Sequence, residues 1–233
     1  MLATMIISHE HKFIFIKTKK TAGTSFEIAL SRFCGPQDVI TRNRAVDEEL
    51  RRNLGGRGPQ NHKIPLWKYN RWNFRQALRR RESARFVHHS PAREVIRIFG
   101  REIWDSYYTF CFERNPWDKA VSYYYWRHPS EPRPSMMEFL TSGEIEMAHR
   151  GGWHLYTLND QIVVDDVYHY ENLTTDVKAI AERLRLPEVP ELPHAKGGIR
   201  ADKRHYRDIL SESERDKVAE IFAAEIDRFG YEF

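Results

Sequence analysis

Two segments of this sequence place hydroxyls, backbone N–H groups and cations in an order suited to binding anions. The first is Lys17-Thr18-Lys19-Lys20-Thr21-Ala22-Gly23-Thr24-Ser25, directly after the apolar run Phe13-Ile14-Phe15-Ile16. The second is Glu113-Arg114-Asn115-Pro116-Trp117, directly after Tyr108-Thr109-Phe110-Cys111-Phe112, with Ser122 two helical turns beyond Arg114. Each reads as a strand giving way to a helix, and a helix start presents unpaired N–H groups and a positive dipole end to an anion. Arginine adds a planar fork that fits a phosphate. Two such junctions in one chain suit a ligand with a separate anion at each end.

The first junction departs from the usual ATP-binding loop, which requires Lys directly after its second glycine. Here Thr24 follows Gly23, and Lys20 stands ahead of it. That argues against a nucleotide-dependent kinase, which stays as the alternative enzyme. A turn that merely caps a helix is disfavoured, because Lys17, Lys19 and Lys20 crowd like charge with nothing nearby to compensate. For Arg114 the plain alternative is an ion pair with Asp118.

The elements that must position these groups follow from pattern. The two apolar runs are too short for helices and read as buried strands. Ile162 to Tyr168 reads as a third. Helical spacing appears from Thr24 to Phe33 and from Pro91 to Phe99, the latter stopped by Gly100. Asn115 caps a helix with Pro116 in its first turn, running toward His128. Ser135 opens a short helix and Thr174 or Thr175 another. Ser211-Glu212-Ser213-Glu214 is a capping box for a helix expected to run unbroken to Gly230. Strands alternating with helices predict an α/β fold with a parallel sheet. The stretch 35–85 lacks a clear period and reads as an excursion that shapes the acceptor site, within one domain spanning 1–233.

The chain has 233 residues, 41% hydrophobic and 30% charged, with net charge +4. That fits one globular domain, and no apolar run spans a bilayer. The start reads as lacking a signal segment and as an intact cytoplasmic N-terminus. Cys34 and Cys111 read as buried free thiols, as in a reducing compartment. Cations gather between Arg42 and Arg97, interleaved with Trp67, Tyr69 and Trp72. A nucleic-acid-binding module is a further alternative on that ground, but it leaves both junctions unexplained, so no nucleic-acid partner is expected.

The segment Lys20-Thr21-Ala22-Gly23-Thr24-Ser25 resembles the 5′-phosphosulfate loop of the sulfotransferases, and Phe112 through Tyr124 resembles their 3′-phosphate motif. The resemblance is to the branch that includes carbohydrate O-sulfotransferases. It extends to Tyr206-Arg207 and to the final residues, Asp227 to Phe233, and covers most of the chain outside 35–85. Lys19 departs from the family, which often has Pro there. The resemblance implies a P-loop NTPase-like three-layer α/β/α fold with a central parallel sheet. It implies 3′-phosphoadenosine 5′-phosphosulfate as donor and adenosine 3′,5′-bisphosphate as product. Lys20, Thr21, Ala22, Gly23, Thr24, Ser25, Arg114 and Ser122 become the donor-binding residues, joined by Lys196 and Arg200 from a late basic loop. Lys20 is also implied to be catalytic, neutralising the leaving phosphate oxygen. His89, ahead of Ala92-Arg93-Glu94, matches the family's base, with His88 as the neighbouring choice. No metal is expected. The acceptor is expected to bear a hydroxyl, with the cations of 35–85 favouring an anionic saccharide.

Overall fold

A computed structural model describes residues 5–85, 90–193 and 202–233. Its first elements are β1 (Ile6–Ser8), β2 (Phe13–Ile16), α1 (Gly23–Leu30), β3 (Val39–Ile40), α2 (Ala45–Asn53) and α3 (Arg71–Arg80). Next come α4 (Ala92–Phe99), α5 (Arg101–Ser106), β4 (Tyr108–Glu113), α6 (Pro116–Arg127), α7 (Met136–Thr141), α8 (Glu146–Arg150) and α9 (Trp153–Tyr156). The remainder is β5 (Thr157–Leu158), β6 (Gln161–Ile162), β7 (Asp166–His169), α10 (Leu173–Arg183), α11 (Glu212–Ile221) and α12 (Ala223–Phe229).

A five-stranded sheet of order β3-β1-β2-β4-β7 forms the centre. β2, β4 and β7 are parallel neighbours, with Ile16 opposite Cys111 and Cys111 opposite Val167. The sheet is not wholly parallel, which corrects the expectation. β1 runs antiparallel to both β2 and β3. The short turn between Ser8 and Phe13 leaves no room for a crossover, so β1 and β2 must form a hairpin.

Alternation along the strands supplies both faces of the sheet. Ile14 and Ile16 pack with Val95, Ile98, Trp104 and Trp153 on one side. Phe13 and Phe15 pack with Phe26, Leu30, Val177 and Ile180 on the other. Burial on both faces explains why β2 is a continuous apolar run rather than an alternating one. A separate cluster joins α6, α7 and α11 around Tyr123, Phe139 and Val218.

Two further expectations need correction. The stretch 162–168 is not one strand: β6 pairs with β5 in a hairpin, and only β7 enters the main sheet. Between them Asp165 turns its carboxylate onto Thr109, accepting from its N–H at 2.7 Å and its hydroxyl at 2.8 Å. The last helix breaks at Phe222 (φ −108°, ψ 28°), whose fully buried ring packs against Lys119 and His149. The excursion also contains regular structure, α2 and α3, which the sequence pattern missed.

Candidate functional site

β2 and β4 lie side by side and run the same way, so their two carboxyl-end loops meet despite their separation in sequence. The Thr18 hydroxyl donates to the Phe112 carbonyl, and Arg114 Nη1 donates to the Lys20 carbonyl at 2.9 Å. The two sequence motifs thus become one surface.

Lys20 (φ 65°) and Ala22 (φ 57°) are both left-handed, flanking Thr21. Alternation of this kind turns successive N–H groups toward one concave side. The Thr21 hydroxyl is spent inside the loop, 2.9 Å from the Thr18 hydroxyl. Ala22 caps α1, whose first turn carries Gly23, buried Thr24 and half-buried Ser25. Gly23 is required by packing: a Cβ there would stand 2.7 Å from Lys17 Cγ.

Lys17 does not face a ligand. Its ammonium lies 3.2 Å from Glu27 and 3.3 Å from Asn43 Oδ1. Glu27, fully buried on α1, also holds Arg51 at 2.5 Å. One of the three loop lysines, Lys17, is therefore compensated, which corrects that part of the sequence reading. Glu27 supplies the counter-charge from one turn inside α1. An acid within the otherwise apolar Phe26-Glu27-Ile28-Ala29-Leu30 was the available signal.

Lys19 is anchored as well. Its ammonium donates to the Met147 carbonyl at 2.8 Å and lies 5.8 Å from the centre of the Tyr123 ring. Burial, helped by Lys119 and Arg127, pulls its pKa down to about 8. Lys20 has its ammonium 5.8 Å from the Trp126 ring, which Arg44 faces at 5.6 Å. Trp126 is one turn after Ser122 on α6, and Ser122 is half-buried. Neither Trp126 nor Arg44 was picked from sequence, although Trp126 shares a helix face with Ser122.

Arg114 makes the ion pair foreseen as its plain alternative. Its Nη2 and Nε lie 2.6 and 3.0 Å from Asp118 Oδ2. With the Lys20 carbonyl, these bonds use three of the five N–H groups an arginine carries. The guanidinium also stands 4.0 Å from the Tyr170 ring centre. Asn115 caps α6, accepting from the Trp117 and Asp118 N–H groups, and its own amide donates to the Glu232 carbonyl. That bond fastens the C-terminal segment to the start of α6.

Beneath Arg114 lies a buried ionic cluster. Lys119 Nζ is 2.5 Å from Glu113 Oε1, with both side chains fully buried. Glu113 also accepts from the Arg114 N–H at 3.0 Å and the Tyr156 hydroxyl at 3.0 Å. Burial raises the Glu113 pKa against the pull of Lys119. A Cβ at Gly152 would stand 2.5 Å from Lys119 Nζ and 3.1 Å from Glu113 Oε2, so a side chain there would displace the pair.

His88, His89, Lys196 and Arg200 lie outside the described residues. Ser90, just after the histidine pair, is buried, and Pro91 caps α4. The adjacent carboxylates Asp165 and Asp166 serve the sheet: Asp165 accepts from the Thr109 hydroxyl, and Asp166 accepts from the Tyr108 hydroxyl at 2.8 Å. Among the described residues no helix is long and apolar enough to cross a membrane.

A family model described as the sulfotransferase family matches residues 3–232. A protein of Archaeoglobus fulgidus, described as uncharacterised, is 37% identical over 101 residues, 42% of this chain and 84% of that protein. Among solved structures none matches significantly.

Proposed function

The chain belongs to the sulfotransferase family, and on that premise we propose that it carries a sulfuryl group from 3′-phosphoadenosine 5′-phosphosulfate to an acceptor hydroxyl on a saccharide or glycoconjugate. The observation that carries the donor assignment is the meeting of the two junctions, tied by Arg114 Nη1 and the Lys20 carbonyl. A donor with an anion at each end matches two adjoining cationic helix starts. The P-loop-like reading of the sheet fits the same geometry.

In this reading the N–H groups of Thr21 to Ser25, with the hydroxyls of Thr24 and Ser25, hold the 5′-phosphosulfate. Arg114 and Ser122 hold the 3′-phosphate, with Arg114 oriented from behind by Asp118. Lys196 and Arg200 add donor contacts, as the resemblance implies. The acceptor oxygen attacks sulfur in line as the bond from sulfur to the bridging phosphate oxygen breaks. The acceptor proton passes to His89, a suitable base because an ordinary imidazole is mostly neutral at pH 7. Lys20 neutralises the charge that develops on the departing phosphate oxygen. Those cations take the part a metal plays in phosphoryl transfer, so no metal is needed. The two buried free thiols support a cytoplasmic setting.

The test is transfer itself. The chain is incubated with sulfur-labelled donor and a panel of acidic and neutral saccharides in EDTA. Labelled saccharide formed in step with adenosine 3′,5′-bisphosphate supports the reading. Phosphate transfer from ATP that needs Mg²⁺ contradicts it.

A further inference from the structure

From Arg57 to Arg81 the chain carries Lys or Arg at positions 57, 63, 68, 71, 75, 79, 80 and 81, and no Asp or Glu at all. The same stretch displays Leu66, Trp67, Trp72, Phe74 and Leu78, each between 53% and 84% exposed. We propose that this face is a docking surface for an anionic lipid bilayer.

Helical spacing sets the arrangement on α3. Phe74 and Leu78 lie one turn apart, Arg71, Arg75 and Arg79 run beside them, and Trp72 closes the exposed arc. Leu66 and Trp67 project from the short turn just before it. Basic side chains beside Trp, Phe and Leu are the composition of helices that lie in the plane of a membrane interface. Arginine stems lie along apolar surface while their heads reach phosphate groups.

The face is rigidly mounted. Asn70 and Asn73 form a reciprocal cap at the start of α3. Buried Asn73 accepts from Arg97 Nη2 at 3.1 Å, and Lys68 donates to the Ile98 carbonyl. The Tyr69 hydroxyl accepts from the Ala84 N–H at 2.5 Å. The bonds from Arg97 and to Ile98 tie α3 and the turn before it to α4, whose Val95 and Ile98 are core residues.

Three occupants compete, and the chemistry separates them. A polyanionic chain, such as nucleic acid or an acidic polysaccharide, accounts for the arginines and tryptophans but leaves Leu66 and Leu78 in water. A second copy of this chain buries the apolar groups but sets two predominantly basic faces together. An anionic bilayer meets both, because charge draws the face in and the interface takes the apolar side chains.

The experiment is sedimentation of the full chain with phosphatidylcholine vesicles, with and without phosphatidylglycerol. Binding to the mixed vesicles and little to the neutral ones is expected. Arg75→Gln and Arg79→Gln should each lower partition about fivefold, the equivalent of about 1 kcal/mol. Arg101→Gln removes the same charge from another exposed site and should matter less than about twofold. Leu66→Ser with Leu78→Ser should abolish the binding that survives high salt. No binding to mixed vesicles overturns the proposal. So does binding indifferent to Leu66→Ser with Leu78→Ser, which assigns the face to a polyanion. Sedimentation as a dimer that these serine variants dissolve assigns it to a second copy and equally overturns it. All substituted side chains are exposed, and retained binding of adenosine 3′,5′-bisphosphate checks the fold. Vesicle binding requires neither donor nor acceptor, so its failure leaves the transfer reaction untouched.

Discussion

At the carboxyl ends of β2 and β4 cations are held by carboxylates: Lys17 by Glu27, Arg51 by Glu27 and Glu48, Lys119 by Glu113, and Arg114 by Asp118. Between Arg57 and Arg81 the cations have no acid in their own stretch and largely face water. The first pattern fixes loops in one geometry, as a small ligand with two charged ends demands. Charges removed from water are costly to leave alone, so each carries a partner. The second pattern keeps charge hydrated and available over a wide area, as an extended anionic surface demands. Charge in these pairs is therefore structural and preorganised, whereas Arg71, Arg75 and Arg79 on α3 are exposed to whatever approaches.

The largest effect is expected in the stretch that joins the two regions. His89→Ala should slow transfer by ~10²–10⁴ while donor affinity stays nearly intact. Single-turnover rates beside calorimetric titration of adenosine 3′,5′-bisphosphate measure both. If His88→Ala shows the loss instead, the base is the neighbour. If neither variant does, the base lies elsewhere.

Glu113→Gln keeps the shape but leaves buried Lys119 without its counter-charge, and should cost about 3–5 kcal/mol of stability. Arg75→Gln on the exposed face should stay within about 0.5 kcal/mol. Chemical denaturation of the two variants sharpens the comparison, and equal losses would break it. Adding Lys119→Met to Glu113→Gln should recover part of the cost, since the orphaned charge is then gone.

Arg114→Ala should weaken donor binding about tenfold or more, in line with ~1.5–3 kcal/mol for a charged hydrogen bond. The chemical step, measured at saturating donor, should change less. Unchanged donor affinity in a folded variant removes Arg114 from the donor site.

The smallest effect concerns Lys19. Its folded pKa of about 8 lies below the ordinary 10.5. Between those values the unfolded chain binds more protons than the folded one, so stability rises with pH across that window. Near pH 7 the folded chain carries the burdened charge, which Lys19→Met removes. From about pH 7.5 to about pH 9.5 the difference between wild type and Lys19→Met should move toward wild type by about 1 kcal/mol, less than the full shift because the side chain is partly exposed. A constant difference would mean that Lys19 titrates normally.

The elements legible in the sequence were those with a strong local signature. Phe13–Ile16 and Tyr108–Glu113 are apolar because the sheet is covered on both faces, and Asn115-Pro116 and Ser211-Glu214 mark helix starts by their own side chains. β1 and β3, with three and two residues, are too short to show a period. α2 escaped because its buried positions are Asp47 and Arg51, so it packs by charge rather than by an apolar stripe. At the site the residue types were legible, but their contacts were not. Glu27 beneath Lys17, and Lys20 against Arg114, depend on which strands become neighbours, and spacing along the chain does not encode that.

The central claim is that the loop of Lys20 and the loop of Arg114 form one donor site that works without a metal. Calorimetric titration of adenosine 3′,5′-bisphosphate in EDTA tests it directly, with wild type, Lys20→Ala and Arg114→Ala measured in parallel. The account predicts one site per chain in wild type, bound fully in EDTA and weakened about tenfold or more by Arg114→Ala and measurably by Lys20→Ala. Binding that appears only with Mg²⁺, or that neither variant alters, would contradict it.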